Sequence, residues 1–240
     1  MSSKNKNSAL IIMKRELKSY FSGPIAYIVT GLFLVISGFM FFSTFFLSNR
    51  AELRNFFSFL PLLLSFFIPA LTMRLFAEER RVGSIETLLT LPLTETNVVL
   101  GKFLAAFIEA LFLIIPTLVY VITADIFGSP DYGPIIGGYI GAIFLCAAFT
   151  AIGLFASSIT KNQIIAFFVA AVICIVLTMI DSFMILFPAT VVSIFSHISA
   201  NAHFSSISKG IVDTRDIIYF VSLTALFVVL TVKTQQNSKK

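Results

Sequence analysis

Few side chains in this sequence could do chemistry, and the most unusual of them is Glu109. It is the one carboxylate clearly inside a long apolar run, where an ionisable group marks a functional site by default. Lys102 precedes it by two helical turns on the same face, so the competing interpretation is an ion pair between them or a side chain that snorkels to the inner surface.

The histidines and cysteines do not form a recognisable metal or disulfide pattern. His197 and His203 are six residues apart, whereas helical metal ligands prefer a spacing of three or four with an acidic third ligand. Cys146 and Cys174 both lie in apolar runs. We expect two buried thiols, no metal site and no disulfide framework.

The motifs of common catalytic machinery are also absent from the sequence. It contains no GxxxxGK[ST] phosphate loop, no HExxH helix and no GxSxG turn. We therefore expect no catalytic residues and no cofactor bound by this chain. A non-catalytic scaffold of this kind needs another subunit to drive it.

Composition places most of the chain in lipid. Hydrophobic residues make up 58% of the 240 residues and charged residues 12%, with a mean hydropathy of +0.97. In typical soluble domains, hydrophobic residues make up about 45–50% and charged residues about 25%. So few charges could not cover so much apolar surface, which excludes a soluble enzyme and a disulfide-stapled secreted domain.

The apolar runs predict one all-α transmembrane domain with six spans. A bilayer crossing needs about 20 helical residues. The predicted spans are 24–47, 56–77, 95–127 with an extension at its start, 134–159, 164–187 and 215–233.

The basic residues predict the orientation of these spans. If the amino terminus is cytoplasmic, thirteen of the 17 lysines and arginines fall in inner segments. This bias follows the positive-inside rule and places both termini in the cytoplasm. The net charge of +5 is then a topology signal, and nucleic acid has no role in the account.

Two segments outside the spans are expected to lie at the membrane surfaces. Residues 8–22 place apolar and cationic side chains on different helical faces, as in an amphipathic helix on the inner surface. Residues 188–213 are rich in hydroxyl groups, and their isoleucines could pack short helices against the outer interface.

The segment between the second and third spans is the only sizeable cytoplasmic excursion between spans. Residues 78–92 begin with four charged side chains, and Ser84 can cap a short helix that Pro92 ends. A short helix at the base of two long ones is suited to transmitting force from a soluble partner. A plain solvated loop is the alternative.

Three glycines recur every fourth residue at the start of the fourth span: Gly133, Gly137 and Gly141. Small residues at this spacing let helix backbones approach closely in lipid. We expect a packing face, without a prediction of which helix it contacts.

Two stretches resemble the permease subunits of ABC-2 type transporters, most closely those associated with bacterial gliding motility. Residues 78–102, EERRVGSIETLLTLPLTETNVVLGK, are similar to a signature of that superfamily. Residues 137–166, GGYIGAIFLCAAFTAIGLFASSITKNQIIA, resemble its fourth span and the turn after it, and SPDYG at 129–133 narrows the likeness to the subfamily. Ser84 and Thr87 depart mildly from the pattern.

The resemblance implies a role for each segment. Residues 78–92 would hold a coupling helix that docks on a separate ATPase subunit, which would bind the ATP and magnesium. A second permease chain would complete the transporter in the bacterial inner membrane, and an accessory membrane protein with a large external domain could join it. The implied ATPase contacts are Glu78, Glu79, Arg80, Arg81, Gly83, Ser84, Glu86, Leu89 and Pro92.

The leading hypothesis is thus the membrane subunit of an ATP-driven exporter. One alternative is an ABC-like module for motility or envelope assembly that moves no substrate. The other is an ion-coupled secondary carrier in which Glu109 titrates. The substrate cannot be read from the sequence.

Overall fold

The computed structural model describes residues 2–48, 52–83, 94–182, 197–211 and 213–237, and within these ranges it is helical without a strand. The helices are α1 (Ser2–Ser22), α2 (Pro24–Ser48), α3 (Arg54–Thr72), α4 (Ala77–Val82), α5 (Glu95–Ile114), α6 (Leu118–Phe127), α7 (Tyr132–Ile159), α8 (Gln163–Met179), α9 (Ala200–Ser208) and α10 (Thr214–Asn237). A 3₁₀ turn, Ile115–Thr117, joins α5 to α6.

Among the described residues, five helical stretches are long and apolar enough to cross a bilayer. They are Pro24–Leu47, Arg54–Val82, Glu95–Phe127, Tyr132–Ile159 and Thr214–Asn237. Helix α8 is apolar but shorter, and residues 183–187 of the fifth predicted span lie outside the described residues. The prediction of an all-helical multi-pass membrane protein is confirmed, and the count of six spans stays a prediction.

Helix α7 forms the centre of the bundle. It packs against α3, α5, α8, α9 and α10, and 72% of its most apolar 18-residue stretch is buried inside the bundle. Its small residues permit this crowding: a Cβ added to Gly138 would lie 2.5 Å from the ring of Phe57 on α3. By contrast, the most apolar stretches of α2 and α10 are only 22% and 11% buried, so these two helices flank the bundle.

A cluster of aromatic rings holds α2 and α3 against α6. The ring of Tyr120 stacks on Phe41 with centroids 4.7 Å apart and meets Phe56 edge-on at 5.3 Å. Its hydroxyl hydrogen-bonds that of Ser37, 3.0 Å away, so the phenol keeps a polar partner in an apolar setting. These contacts fix the bundle at the end opposite α4.

The glycine repeat of α7 faces α9 of the same chain. A Cβ on Gly137 would clash with the backbone oxygen of Ile207, and one on Gly141 would lie 3.1 Å from the Phe204 ring. A Cβ on Gly133 would meet only Asp131, the residue that caps α7. Two of the three glycines therefore let a short helix seat on α7.

The segment around α9 is tied down by polar contacts. His203 Nδ1 lies 2.6 Å from a carboxylate oxygen of Asp216, and the imidazole stacks on Tyr219 at 4.1 Å. Asn201 donates to Asp181 at 2.8 Å. His203 Nε2 faces the backbone oxygen of His197, 3.2 Å away, so both imidazole nitrogens of His203 have protein neighbours.

Candidate functional site

Helix α1 lies directly on α5, and a glycine makes the approach possible. A Cβ on Gly101 would sit 2.8 Å from both the backbone oxygen of Ala9 and the Cβ of Ile12. Ile12 and Tyr20 are buried on the contacting face, with Glu16 between them at helical spacing. The segment predicted as an amphipathic surface helix thus packs one face against protein and carries a carboxylate inward.

That carboxylate meets the side chain of Lys102, which is only 1% exposed. The Lys102 ammonium donates to the Leu75 backbone oxygen at 2.8 Å, to Glu79 Oε1 at 2.8 Å and to Glu16 Oε1 at 3.2 Å. All three of its donors are used, as a buried ammonium requires. One cation therefore joins α1, the turn after α3, α4 and α5.

Arg15 completes the group from the surface of α1. Its guanidinium lies 3.0 Å from Glu16 and 3.6 Å from Glu79, with 57% of its side chain exposed. Arg15, Glu16, Glu79 and Lys102 are named here the polar junction. Two carboxylates are balanced by two cations, so the junction is electrically neutral while its partners stay in place.

A second set of contacts holds the neighbouring turn after α3. The Arg74 guanidinium lies over the Tyr20 ring at 4.4 Å, and the Tyr20 hydroxyl donates to the Leu71 backbone oxygen at 3.4 Å. The pKa of the Tyr20 hydroxyl lies well above its usual value, mainly because the hydroxyl is buried and secondly because the charge of Glu109 is near. Tyr20 therefore stays protonated and remains a donor.

Ser157 of α7 fixes the backbone where α4 begins. Its hydroxyl oxygen accepts from the amides of Phe76 and Ala77 at 2.9 and 3.1 Å, and it donates to the Met73 oxygen at 2.9 Å. These amides would otherwise lack partners at the start of the helix. The hydroxyl thus attaches the base of α4 to the centre of the bundle.

Helix α4 ends at Gly83, which has a φ of +76°, the left-handed conformation that favours glycine at a helix end. The next described residue is Thr94, directly before α5. The residues that flank the segment 84–93 are therefore Gly83, four residues after Glu79, and Thr94, eight residues before Lys102. A displacement of α4 would pull on Lys102 and hence on α5.

An open cavity of about 410 Å³ borders the polar junction. Its walls mix three acids and three bases: Glu16, Glu78, Glu79, Arg15, Arg74 and Lys102. The cavity lies between α1 and α4, so it leaves room for one to move relative to the other.

The structure separates the predicted ATPase contacts into three groups. Glu78, Arg81 and Gly83 are exposed, whereas Glu79 and Arg80 are partly buried. Glu79 contacts Lys102, and Arg80 donates to Gln235 of α10 at 3.5 Å. Ser84, Glu86, Leu89 and Pro92 lie outside the described residues.

The sequence-based alternative of a Lys102–Glu109 ion pair is wrong, because Lys102 uses its three donors elsewhere. Glu109 is 2% exposed, and neither carboxylate oxygen has a hydrogen-bond partner among the described residues. The pairing of Lys102 with Glu79 crosses 23 positions, and no local pattern signals it. Glu16 could have been found, since it stands four residues from both Ile12 and Tyr20 on one helical face.

Metal chemistry finds no support in the described part of the chain, where no three histidine, cysteine or acidic side chains group closely enough to hold an ion. Cys146 and Cys174 are buried free thiols. What the described residues do present is a set of long apolar helices, with a buried ion network where α1, α4 and α5 meet. This arrangement defines a polytopic membrane protein.

The chain belongs to the ABC-2 family of transporter proteins, whose family model matches residues 10–239. The predicted ABC-2 type resemblance is thereby confirmed at the level of the family. No curated protein matches the sequence. Membership makes the chain a membrane permease component of an ABC transport system and implies an ABC ATPase as its partner.

Proposed function

We propose that this chain couples ATP hydrolysis in a separate subunit to export, with residues 78–92 as the docking element. The observation that carries the proposal is the position of Lys102, which binds both α4 and α1 from its own place on α5. A partner that displaces α4 would also displace the buried ammonium of Lys102, which contacts α1 and α4 from its place on α5.

The coupling needs no catalytic residue in this chain. If the ATP-bound partner binds one arrangement of α4 more tightly than another, it shifts the population of membrane conformations by that difference in affinity. Lys102 transmits the change to α5, and Ser157 transmits it to α7. Since α7 also packs on α3, α5, α8, α9 and α10, a small tilt there would be felt across the bundle.

Of the predicted contacts, Glu78 and Arg81 are the best placed for the docking surface. Both are exposed on α4, immediately before the segment 84–93. Glu79 has a different role in this proposal: it connects the docking helix to the membrane helices through Lys102.

The test is co-purification of the tagged chain from its native membrane, followed by identification of the proteins that accompany it. We expect a stoichiometric P-loop ATPase, lost in Glu78→Lys and retained in the control Glu52→Lys. Glu52 is also exposed but lies next to α3 at the opposite end of the bundle. Glu79 is left unchanged because Glu79→Lys would place a second ammonium group against that of Lys102. A chain that purifies alone, even after cross-linking, would contradict the proposal.

The finer assignment rests on the resemblance of residues 129–133 and 137–166. It makes the chain half of a transporter in the bacterial inner membrane, paired with a second permease chain and associated with gliding motility. The large exposed faces of α2 and α10 leave room for such a neighbour. Cross-linking through single cysteines on α2 tests the pairing.

One observation favours a second candidate, the ion-coupled carrier. Glu109 is buried without a hydrogen-bond partner among the described residues, as a titrating carboxylate in a proton pathway could be. This candidate expects transport into vesicles without ATP, abolished in Glu109→Gln. Transport that requires ATP would exclude it.

A further inference from the structure

A cavity of about 220 Å³ lies where α1, α2 and α5 meet. Apolar and aromatic side chains line most of it, among them Phe21, Tyr27, Leu34 and Phe112, and Glu109 is the one acidic residue in the described part of its wall. Tyr27 and Phe112 are 58% and 44% exposed, so the cavity can be reached from the surface of the chain.

The position of Glu109 is costly without a partner. It stands seven residues beyond Lys102 on α5, which places it about 10 Å deeper in the bundle. The Arg74 guanidinium attracts it electrostatically but makes no ion pair with it within bonding distance. A carboxylate held so far from water calls for a cation or a donor.

Aromatic rings stand beside this carboxylate. Phe21 meets Phe112 edge-on with centroids 5.1 Å apart and meets Tyr27 at 6.4 Å. Tyr27 is held in place by its hydroxyl, which donates to the Phe21 backbone oxygen at 3.1 Å. Aromatic rings that share a cavity wall with a carboxylate are suitable surroundings for an organic ammonium group.

The chemistry of the wall selects among cations. Sodium, magnesium and calcium need several oxygen ligands, whereas Glu109 is the only carboxylate among the described residues that line this cavity. An ammonium group attached to an apolar body instead matches one carboxylate, three rings and an aliphatic wall.

We propose that this cavity binds an amphiphile through its ammonium group, with Glu109 as the counter-ion. The amphiphile is either a membrane lipid with an amine headgroup or a free amine with an apolar chain. As an assignment of the substrate class, the proposal rests on the proposed export function. The site itself can be tested by binding alone.

Gly31 provides a specific way to fill the cavity. It lines the wall on α2, and a Cβ added there would meet nothing within 4 Å. Gly31→Leu should therefore occupy the space without displacing a helix. The matched control is Val35→Leu, one turn further along α2, at a side chain that is 69% exposed.

The experiment titrates the purified chain in dodecyl maltoside micelles with a fluorescent dodecyl trimethylammonium probe and with its sulfonate counterpart. We expect saturable binding of the cation above the level of empty micelles and none of the sulfonate. Glu109→Gln and Gly31→Leu should each weaken binding at least tenfold, and Val35→Leu should leave it unchanged. Equal binding of both probes, or undiminished binding by Glu109→Gln, would overturn the site.

Two further measurements separate the possible results. Displacement of the probe by phosphatidylethanolamine identifies the lipid headgroup as the occupant, and its persistence identifies a free amine. If the chain brings its ATPase with it but binds no ammonium probe, the cavity assignment fails and the export function stands. If it binds the probe but never associates with an ATPase, the proposed function fails and the site stands.

Discussion

Replacing Lys102 by methionine should destabilise the protein more than any change at the exposed part of the polar junction. The methionine keeps the apolar stem but removes the three hydrogen bonds to Leu75, Glu79 and Glu16. Both carboxylates would then stay largely buried, with 17% and 14% of their side chains exposed, and would keep Arg15 as a nearby but exposed cation.

The magnitude follows from the burial of the partners. Removing one member of a buried ion pair costs about 3–5 kcal/mol because the other charge is left unpaired. Here the remaining exposure and Arg15 reduce the loss, so we expect about 3 kcal/mol. For a chain of this length, that corresponds to a fall of about 6–12 °C in the unfolding temperature.

The chain carries its own reporter for the assay. Cys146 and Cys174 are both 0% exposed, so a thiol-reactive dye should label them only as the bundle opens. Labelling during a thermal ramp then gives the midpoint of unfolding. Arg15→Gln is the control: its side chain is 57% exposed, and its loss should cost no more than about 1 kcal/mol.

A triple variant tests the stated cause. Lys102→Met together with Glu16→Gln and Glu79→Gln removes both carboxylate charges along with the cation. Neutral replacements of a buried ion network are often tolerated, so most of the lost stability should return. A midpoint for Lys102→Met within about 2 °C of the parent would refute the reasoning, since a shift that small is what about 1 kcal/mol or less produces. Failure of the triple variant to recover would refute the charge argument alone.

Three further predictions concern packing and the base of α4. Ser157→Ala removes the acceptor of the Phe76 and Ala77 amides, so their hydrogen exchange should quicken and stability should fall by about 1–3 kcal/mol; unchanged exchange would show that the hydroxyl does not hold α4. Alanine at Gly137 should lower the unfolding temperature most, because its Cβ would meet backbone. Alanine at Gly141 would meet a ring and should lower it less, and alanine at Gly133 would meet only the Asp131 carboxylate and should lower it least. An equal effect at all three would contradict the seating of α9. Gly153→Ala should be strongly destabilising, since its Cβ would overlap the Thr72 hydroxyl, whereas Gly31→Ala should have little effect, and thermal labelling of the two thiols ranks them.

Composition alone shows that most of this chain lies in lipid and that it is a helical membrane protein. A chain that is 58% hydrophobic and 12% charged must place its apolar residues in lipid, and in lipid the backbone can satisfy itself as helix. The start of α2 at Pro24 could also be expected, because proline is favoured in the first turn and Gly23 interrupts the helix before it. The motif at 78–102 pointed to the family.

Tertiary structure decided which partners the polar side chains take. The sequence allowed a Lys102–Glu109 ion pair as one interpretation because helical periodicity reports only neighbours on the same helix, whereas the partners of Lys102 come from α1, the turn after α3 and α4. Glu79 was predicted as a contact to the ATPase subunit, which stays a prediction, and the structure adds its contact with the buried ammonium of Lys102. The glycine repeat indicated close packing, but the identity of α9 as the neighbour of Gly137 and Gly141 depends on how the chain returns to α7. Such contacts join residues far apart in the chain, and only the packed bundle brings them within reach of each other.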